Sequence, residues 1–186
     1  TPGMGDGVER DIEIATAIKS KLDETDEDGR QIIDMVLIVL DASTKDLSNV
    51  YTLINEVLLP GLSDEAEKRI VIGLNQSDMA MKGRHWDSEK NEPDQTLKDF
   101  LDSKAISVSQ RIQENTGLSL KAVCYCAGYT DEGEKRNPYN LTKLLHFILR
   151  HTPEEKRLVL VENLNEDKEN WEHNDDDEDH RSGILD

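Results

Sequence analysis

Three short polar stretches each close an apolar run: DASTK at 41–45, NQSD at 75–78 and CAG at 126–128. In NQSD an amide and a carboxylate, Asn75 and Asp78, stand three positions apart. Fixed just after a strand, such a pair offers a donor and a two-oxygen acceptor to the edge of a flat heterocycle. Guanine carries an N1–H and an exocyclic amino group side by side, so it matches a carboxylate better than adenine does. A fourth stretch, TPGMGDG at 1–7, sets a Thr-Pro-Gly turn and three glycines ahead of a helical pattern. Taken alone, NQSD also reads as an ordinary polar turn after a strand.

Other chemistry is weaker. Cys124 and Cys126 are spaced C-x-C inside an apolar run, a spacing unsuited to a disulfide within one chain, and no partners complete a zinc site. They read as reduced, small core residues. His146 and His151 are five apart, off one helical face. His173 and His180 flank the DDDED run and read as part of a solvated segment. Trp86 has two readings, a partner contact or a cover for the sheet end.

The elements that must position these residues follow from periodicity. Val8 to Leu22 carries Ile12, Ala15, Ile18 and Leu22 along one helical stripe. Asp34 to Asp41, DMVLIVLD, is a continuous apolar run of strand length, and such a run suits a parallel strand buried on both faces. DLSNVYTLINEVLLPG then places Leu47, Val50, Tyr51, Ile54, Val57 and Leu58 at helical spacing before Pro60 and Gly61. Lys68 to Asn75 repeats the buried strand, and Gln95 to Asn115 an amphipathic helix stopped by Gly117. Leu120 to Ala127 reads as a third strand and Asn140 to Arg150 as a further helix. Helix, then strand and helix three times, predicts an α/β domain with a parallel sheet whose functional groups gather at strand ends. Met79 to Asp94 is the one long polar insertion.

Composition narrows the class. The 186 residues carry a net charge of −18, which argues against a direct nucleic-acid-binding face. No apolar run approaches the roughly 20 residues of a membrane span, and the first residues lack a signal-peptide layout, so a cytoplasmic location is expected. From Glu162 to Asp186 there are 11 acidic and 2 basic residues, half of the net charge. Few apolar residues accompany them, and an acidic disordered tail over 161–186 is expected behind a domain over 1–160.

In order and approximate spacing, TPGMGDG, NQSD and CAG resemble the third, fourth and fifth guanine-nucleotide motifs of P-loop GTPases. The chain is similar to the Era/TrmE-like GTPases, and within them to the small bacterial group labelled 50S ribosome-binding GTPases, over roughly residues 1 to 150. The resemblance implies a Ras-like, parallel-sheet P-loop NTPase fold lacking its N-terminal P-loop portion. Thr1 would follow the Asp of a DTPG motif, and no G-x-x-x-x-G-K-[ST] pattern occurs in the sequence. Thr1, Pro2, Gly3 and Met4 would form the phosphate and switch segment, with Gly3 giving its N–H to the γ-phosphate. Met4 would stand where the Ras branch has a water-orienting Gln.

Asn75 would brace the base loop, Asp78 would accept from guanine N1–H and the amino group, and Ala127 would donate its N–H to the base carbonyl. Two positions depart from the family pattern. Gln76 replaces a Lys whose stem covers one base face, and Cys126 replaces a Ser. The implied ligands are GTP or GDP with magnesium, although the motif-three Asp and the P-loop Lys and Ser/Thr that would hold phosphate and metal are missing. Hydrolysis is thus expected only with the P-loop supplied, and ribosome association is implied by the family label alone. The alternative is a non-enzymatic remnant or interaction module with an acidic tail. In the family sheet the P-loop strand pairs with DMVLIVLD, so an apolar edge open to self-association is expected here. A von Willebrand A-like metal site, D-x-S-x-S, is missed by one residue at Asp41, Ser43 and Lys45, and a Lys in the third ligand position would oppose a divalent cation.

Overall fold

The computed structural model describes residues 8–62, 65–131 and 134–164. At its centre lie three parallel strands in the order β1 (Val36–Asp41), β2 (Ile70–Asn75), β5 (Ala122–Cys124). The architecture is therefore mixed α/β with a parallel sheet. β1 and β2 run in register from Val36 opposite Ile70 to Asp41 opposite Asn75, so the two polar strand ends fall side by side. β2 pairs with β5 from Ile72 opposite Ala122 to Leu74 opposite Cys124.

Cover on both faces of the sheet explains the apolar run of β2, which is buried from Ile70 to Leu74. The expected burial of β1 on both faces is not met: Ile38 is buried, but Val39 is 52% exposed. Alternate residues Ile38, Ile70, Ile72, Leu74 and Cys124 point into the main core. There they meet α5 (Gln95–Thr116) through Leu97, Leu101, Val108 and Ile112, and the helical segment that follows β1 through Val50, Ile54, Val57 and Leu58. The intervening residues Val71, Val123 and Tyr125 meet α6 (Leu141–His151) through Leu144 on the other face. α1 (Val8–Leu22) lies outside the first layer and buries Leu22. Ala15 and Ile18 are partly buried against the same core, whereas Ile12, on the same sequence stripe, is exposed.

The helix after β1 is interrupted. It comprises α2 (Ser48–Thr52), a π-helical turn (Leu53–Leu58) and α3 (Leu59–Leu62). Leu59 N–H donates to Ile54 O, a five-residue step, one position before Pro60, which has no N–H to give. The chain thus carries helical geometry through the Pro-Gly pair that the sequence marks as a stop. Lys68 and Arg69 are likewise not strand. They belong to α4 (Ala66–Arg69), from which Arg69 donates to the carbonyls of Ile33 and Asp34 and to Gln31 Oε1. These bonds tie the start of β1 to the start of β2.

The third strand is shorter than Leu120 to Ala127. Its ladder with β2 continues only through Tyr125 N–H to Leu74 O, after which the chain turns and Cys126 pairs with Tyr139 instead. α5 ends on Gly117, whose φ of 77° is the left-handed conformation of a helix stop. The 79–94 insertion contains a small hairpin, β3 (Trp86–Asp87) with β4 (Glu92–Pro93). A second hairpin, β6 (Tyr129–Asp131) with β7 (Glu134–Arg136), follows CAG and is not marked by sequence periodicity. α7 (Glu154–Glu162) crosses the expected boundary at 160/161, and the greater part of the expected tail lies outside the described residues. Among the described residues no helix is long and apolar enough to cross a membrane.

Candidate nucleotide-base site

Asn75 is the last residue of β2, and the chain leaves it abruptly. Gln76 takes a left-handed conformation, φ 60° and ψ 40°, and Ser77–Met79 forms one 3-10 turn closed by Met79 N–H to Gln76 O at 2.9 Å. Ser77 pins this turn. It is fully buried, and both its N–H (3.3 Å) and its Oγ (3.1 Å) donate to Tyr125 O. The NQSD loop is thereby tied to the strand next door rather than only to its own.

The same neighbour holds Asp78. Cys126 Sγ–H donates to Asp78 Oδ1 at 3.2 Å, and Asp78 N–H donates back to Cys126 Sγ at 3.3 Å. Burial, reinforced by the adjacent Asp78 carboxylate, pushes the Cys126 thiol far above its ordinary range. It stays a protonated donor and not a reactive thiolate. One residue on, Ala127 N–H donates to Asn75 Oδ1 at 3.1 Å. The bond at 75–127 and the reciprocal pair at 78–126 therefore lock the two loops together.

These loops form one side of a cleft of about 640 Å³, within the size range of small-molecule sites. Asp41 and Ser43 reach it from β1, and Asp41 Oδ1 accepts the Ser43 N–H at 2.6 Å. Gln76 lines it with an exposed side chain, as does Lys82 of the insertion. Trp86 lines it too, and packs edge-on against Tyr139 with ring centroids 5.4 Å apart. Of its two sequence readings, cover for the sheet end describes this packing. The Trp86 Nε1–H is buried without an acceptor. Asn91 Nδ2 donates to the carbonyls of Asn137 (3.0 Å) and Pro138 (3.1 Å), joining the insertion to the segment after β7.

The far wall is Arg136, at the end of β7. Its Nη1 lies 3.5 Å from Asp78 Oδ2, with side-chain exposures of 32% for Arg136 and 13% for Asp78. Gly128 allows the hairpin to close this tightly. Its φ is +74°, and a Cβ there would sit 2.7 Å from Arg136 O and 3.0 Å from Pro138 N.

The structure thus gathers Asn75, Gln76, Asp78, Cys126 and Ala127 around one cleft, and adds Asp41 and Ser43. Thr1, Pro2, Gly3 and Met4 lie outside the described residues. Lys45 does not line the cleft, and its carbonyl accepts from Arg111 Nη1 at 3.0 Å. Cys124 is buried in the main core, apart from the cleft chemistry. Arg136 and Ser77 are the members that sequence reasoning did not single out. Ser77 had a signal, a small polar residue inside NQSD, but Arg136 arrives through a hairpin with no periodic pattern. Among the described residues no group of three or more His, Cys, Asp or Glu side chains is placed to hold a metal. No protein-family model, curated protein or solved structure matches the chain.

Proposed function

We propose that this cleft binds a guanine nucleotide by its base, in the manner of the GTPases the sequence resembles, on a Ras-like P-loop NTPase arrangement of strands. One observation carries the reading: an amide, a carboxylate and a backbone N–H from two adjacent parallel strand ends converge on one cleft. Asp78 would accept from N1–H and the exocyclic amino group, and the base carbonyl would share the Ala127 N–H with Asn75. Cys126 supplies, as a thiol, the donor that keeps the Asp78 carboxylate turned into the cleft.

The resemblance also implies magnesium, and the cleft does not fit it. Its carboxylates are Asp41 and Asp78, one bonded to its own loop and the other to Cys126, and together they fall short of an oxygen cage for a hard cation. The sequence contains no phosphate-cradling G-x-x-x-x-G-K-[ST]. Phosphate and metal contacts carry most of the catalysis in phosphoryl transfer. We therefore assign base recognition to these residues and hydrolysis to groups they do not include.

The test is titration with fluorescent GDP and GTP in the presence of magnesium, with ATP as competitor and Asp78→Asn as control. Saturable binding that resists ATP and weakens about tenfold or more in the variant is expected, since Asn presents a donor where the base needs an acceptor. Equal competition by ATP, or binding indifferent to Asp78, refutes the reading. A second reading, a non-enzymatic interaction module, has the free edge of β1 in its favour. β1 pairs only with β2 among the described strands, and Val39 on it is 52% exposed.

A further inference from the structure

Arg136 and a guanine base present the same pattern to Asp78. A guanidinium is planar and carries N–H donors side by side, which is why it meets carboxylates in a two-point fork. The Watson–Crick edge of guanine likewise offers N1–H beside an amino N–H. In the structure the carboxylate is committed on one side, where Oδ1 accepts the Cys126 thiol, and Oδ2 faces Arg136 Nη1 at 3.5 Å. That separation is at the long limit of a hydrogen bond, so the contact is weak and displaceable.

The backbone beneath Arg136 is fixed. Tyr129 pairs with Arg136 across the hairpin, and Gly128 packs against its carbonyl. The side chain is long and one-third exposed, so a change of rotamer takes it off the carboxylate without moving its Cα.

We propose that Arg136 is an internal competitor for the base: it pairs with Asp78 and must swing aside when guanine binds. The inference rests on the guanine reading above. Arg136 then sets affinity by opposing binding, although its positive charge would suggest that it attracts the nucleotide.

Guanosine is the discriminating probe, because it carries the base without phosphate charge. Its binding is followed by the H8 proton resonance as protein is added, for wild type, Arg136→Ala, Arg136→Lys and Asp78→Asn, each checked by thermal melting. Arg136→Ala is expected to tighten guanosine binding by about 1.5- to fivefold, the range of a partly exposed ion pair. Arg136→Lys, which keeps the charge but not the paired donors, falls between. Wild-type binding tightens as salt rises and screens the pair, and that dependence disappears in Arg136→Ala.

Unchanged or weaker guanosine binding by Arg136→Ala, with binding still lost in Asp78→Asn, overturns the competition and leaves the base site standing. If neither wild type nor Arg136→Ala binds guanosine or GDP, the base reading fails and the competition with it.

Discussion

Replacing Gly128 with Ala tests whether the cleft wall is built by close packing of the β6/β7 hairpin on the strand end. Two effects add. A left-handed backbone costs an L-residue about 1–2 kcal/mol relative to Gly. The new methyl would also sit 2.7 Å from Arg136 O, when ordinary contact begins at 3.4 Å, so the return strand must retreat by about 0.7 Å. The two nearest of its three close neighbours, Arg136 O and Pro138 N, are backbone atoms, and the third, Pro138 Cδ at 3.2 Å, belongs to a ring fixed to that nitrogen. Overpacking of this kind costs about 1–3 kcal/mol, giving a total of about 2–5 kcal/mol. Gly117→Ala isolates the first effect, because Gly117 has φ +77° but nothing within 4 Å of its Cβ position. Urea denaturation of the three proteins reads both. At a slope near 2 kcal/mol/M, Gly128→Ala lowers the midpoint by about 1–2.5 M and Gly117→Ala by about 0.5–1 M. Equal shifts for the two variants refute the close-packed hairpin, and with it the placement of Arg136 over Asp78.

Cys126→Ala strips Asp78 of a donor and an acceptor in a partly buried site and lowers stability by about 1–3 kcal/mol, whereas Cys126→Ser, which donates and accepts, stays within about 1 kcal/mol; urea midpoints decide. Iodoacetamide leaves the native Cys126 thiol unmodified at pH 8, and modification at the rate of a free cysteine contradicts the buried donor role. The Leu97 N–H, followed by His85, holds the Asp94 carboxylate below its ordinary 3.8 at the start of α5. The unfolded chain binds the proton more readily, so this contribution is complete above the unfolded value and is lost as pH falls through the lower folded one. Asp94→Asn is expected to flatten the acid limb of the melting temperature below about pH 4, and an unaltered limb counts against the cap. At the sheet edge, Val39→Lys reduces concentration-dependent self-association in light scattering; a wild type that is monodisperse at all concentrations and salt levels removes the case for an open edge.

Much of the layering was legible in the sequence because both-face burial writes itself as an unbroken apolar run. Ile70 to Leu74 is such a run; Val36 to Leu40 is as apolar in sequence, yet Val39 in it is exposed, and the parallel sheet follows from the helices between the two runs. The ends of the first two strands were legible for the same reason: Asp41 and Asn75 are where those runs stop. What stayed hidden depends on partners remote in sequence. Leu120 to Ala127 is apolar but for Lys121, yet its ladder ends near Tyr125, whose carbonyl accepts from Ser77. Lys68 and Arg69 look like the head of a strand until Arg69 is seen serving the carbonyls of Ile33 and Asp34. Residues 129–136, YTDEGEKR, carry no alternating apolar pattern, so the sequence leaves none to read, and Arg136 was missed along with the hairpin.

The candidate site and the core are separable in physical terms, and this decides how variants are to be interpreted. The large fully buried side chains, Ile72, Leu74 and Leu97 among them, lie within the layers, while Asn75, Gln76 and Ala127 stand at the strand ends with few apolar contacts. Asn75 Oδ1 accepts the backbone N–H of Ala127, so replacing Asn75 frees an N–H that solvent can satisfy, at small cost to folding. Asp78 is different: at 13% exposure, with Cys126 and Arg136 on its two oxygens, it couples site and fold. Asp78→Asn retains the volume and one acceptor for the thiol, which makes it the variant whose loss of binding speaks to chemistry and not to collapse. Asp78→Ala would abandon the thiol and the guanidinium together, and its phenotype would confuse the two.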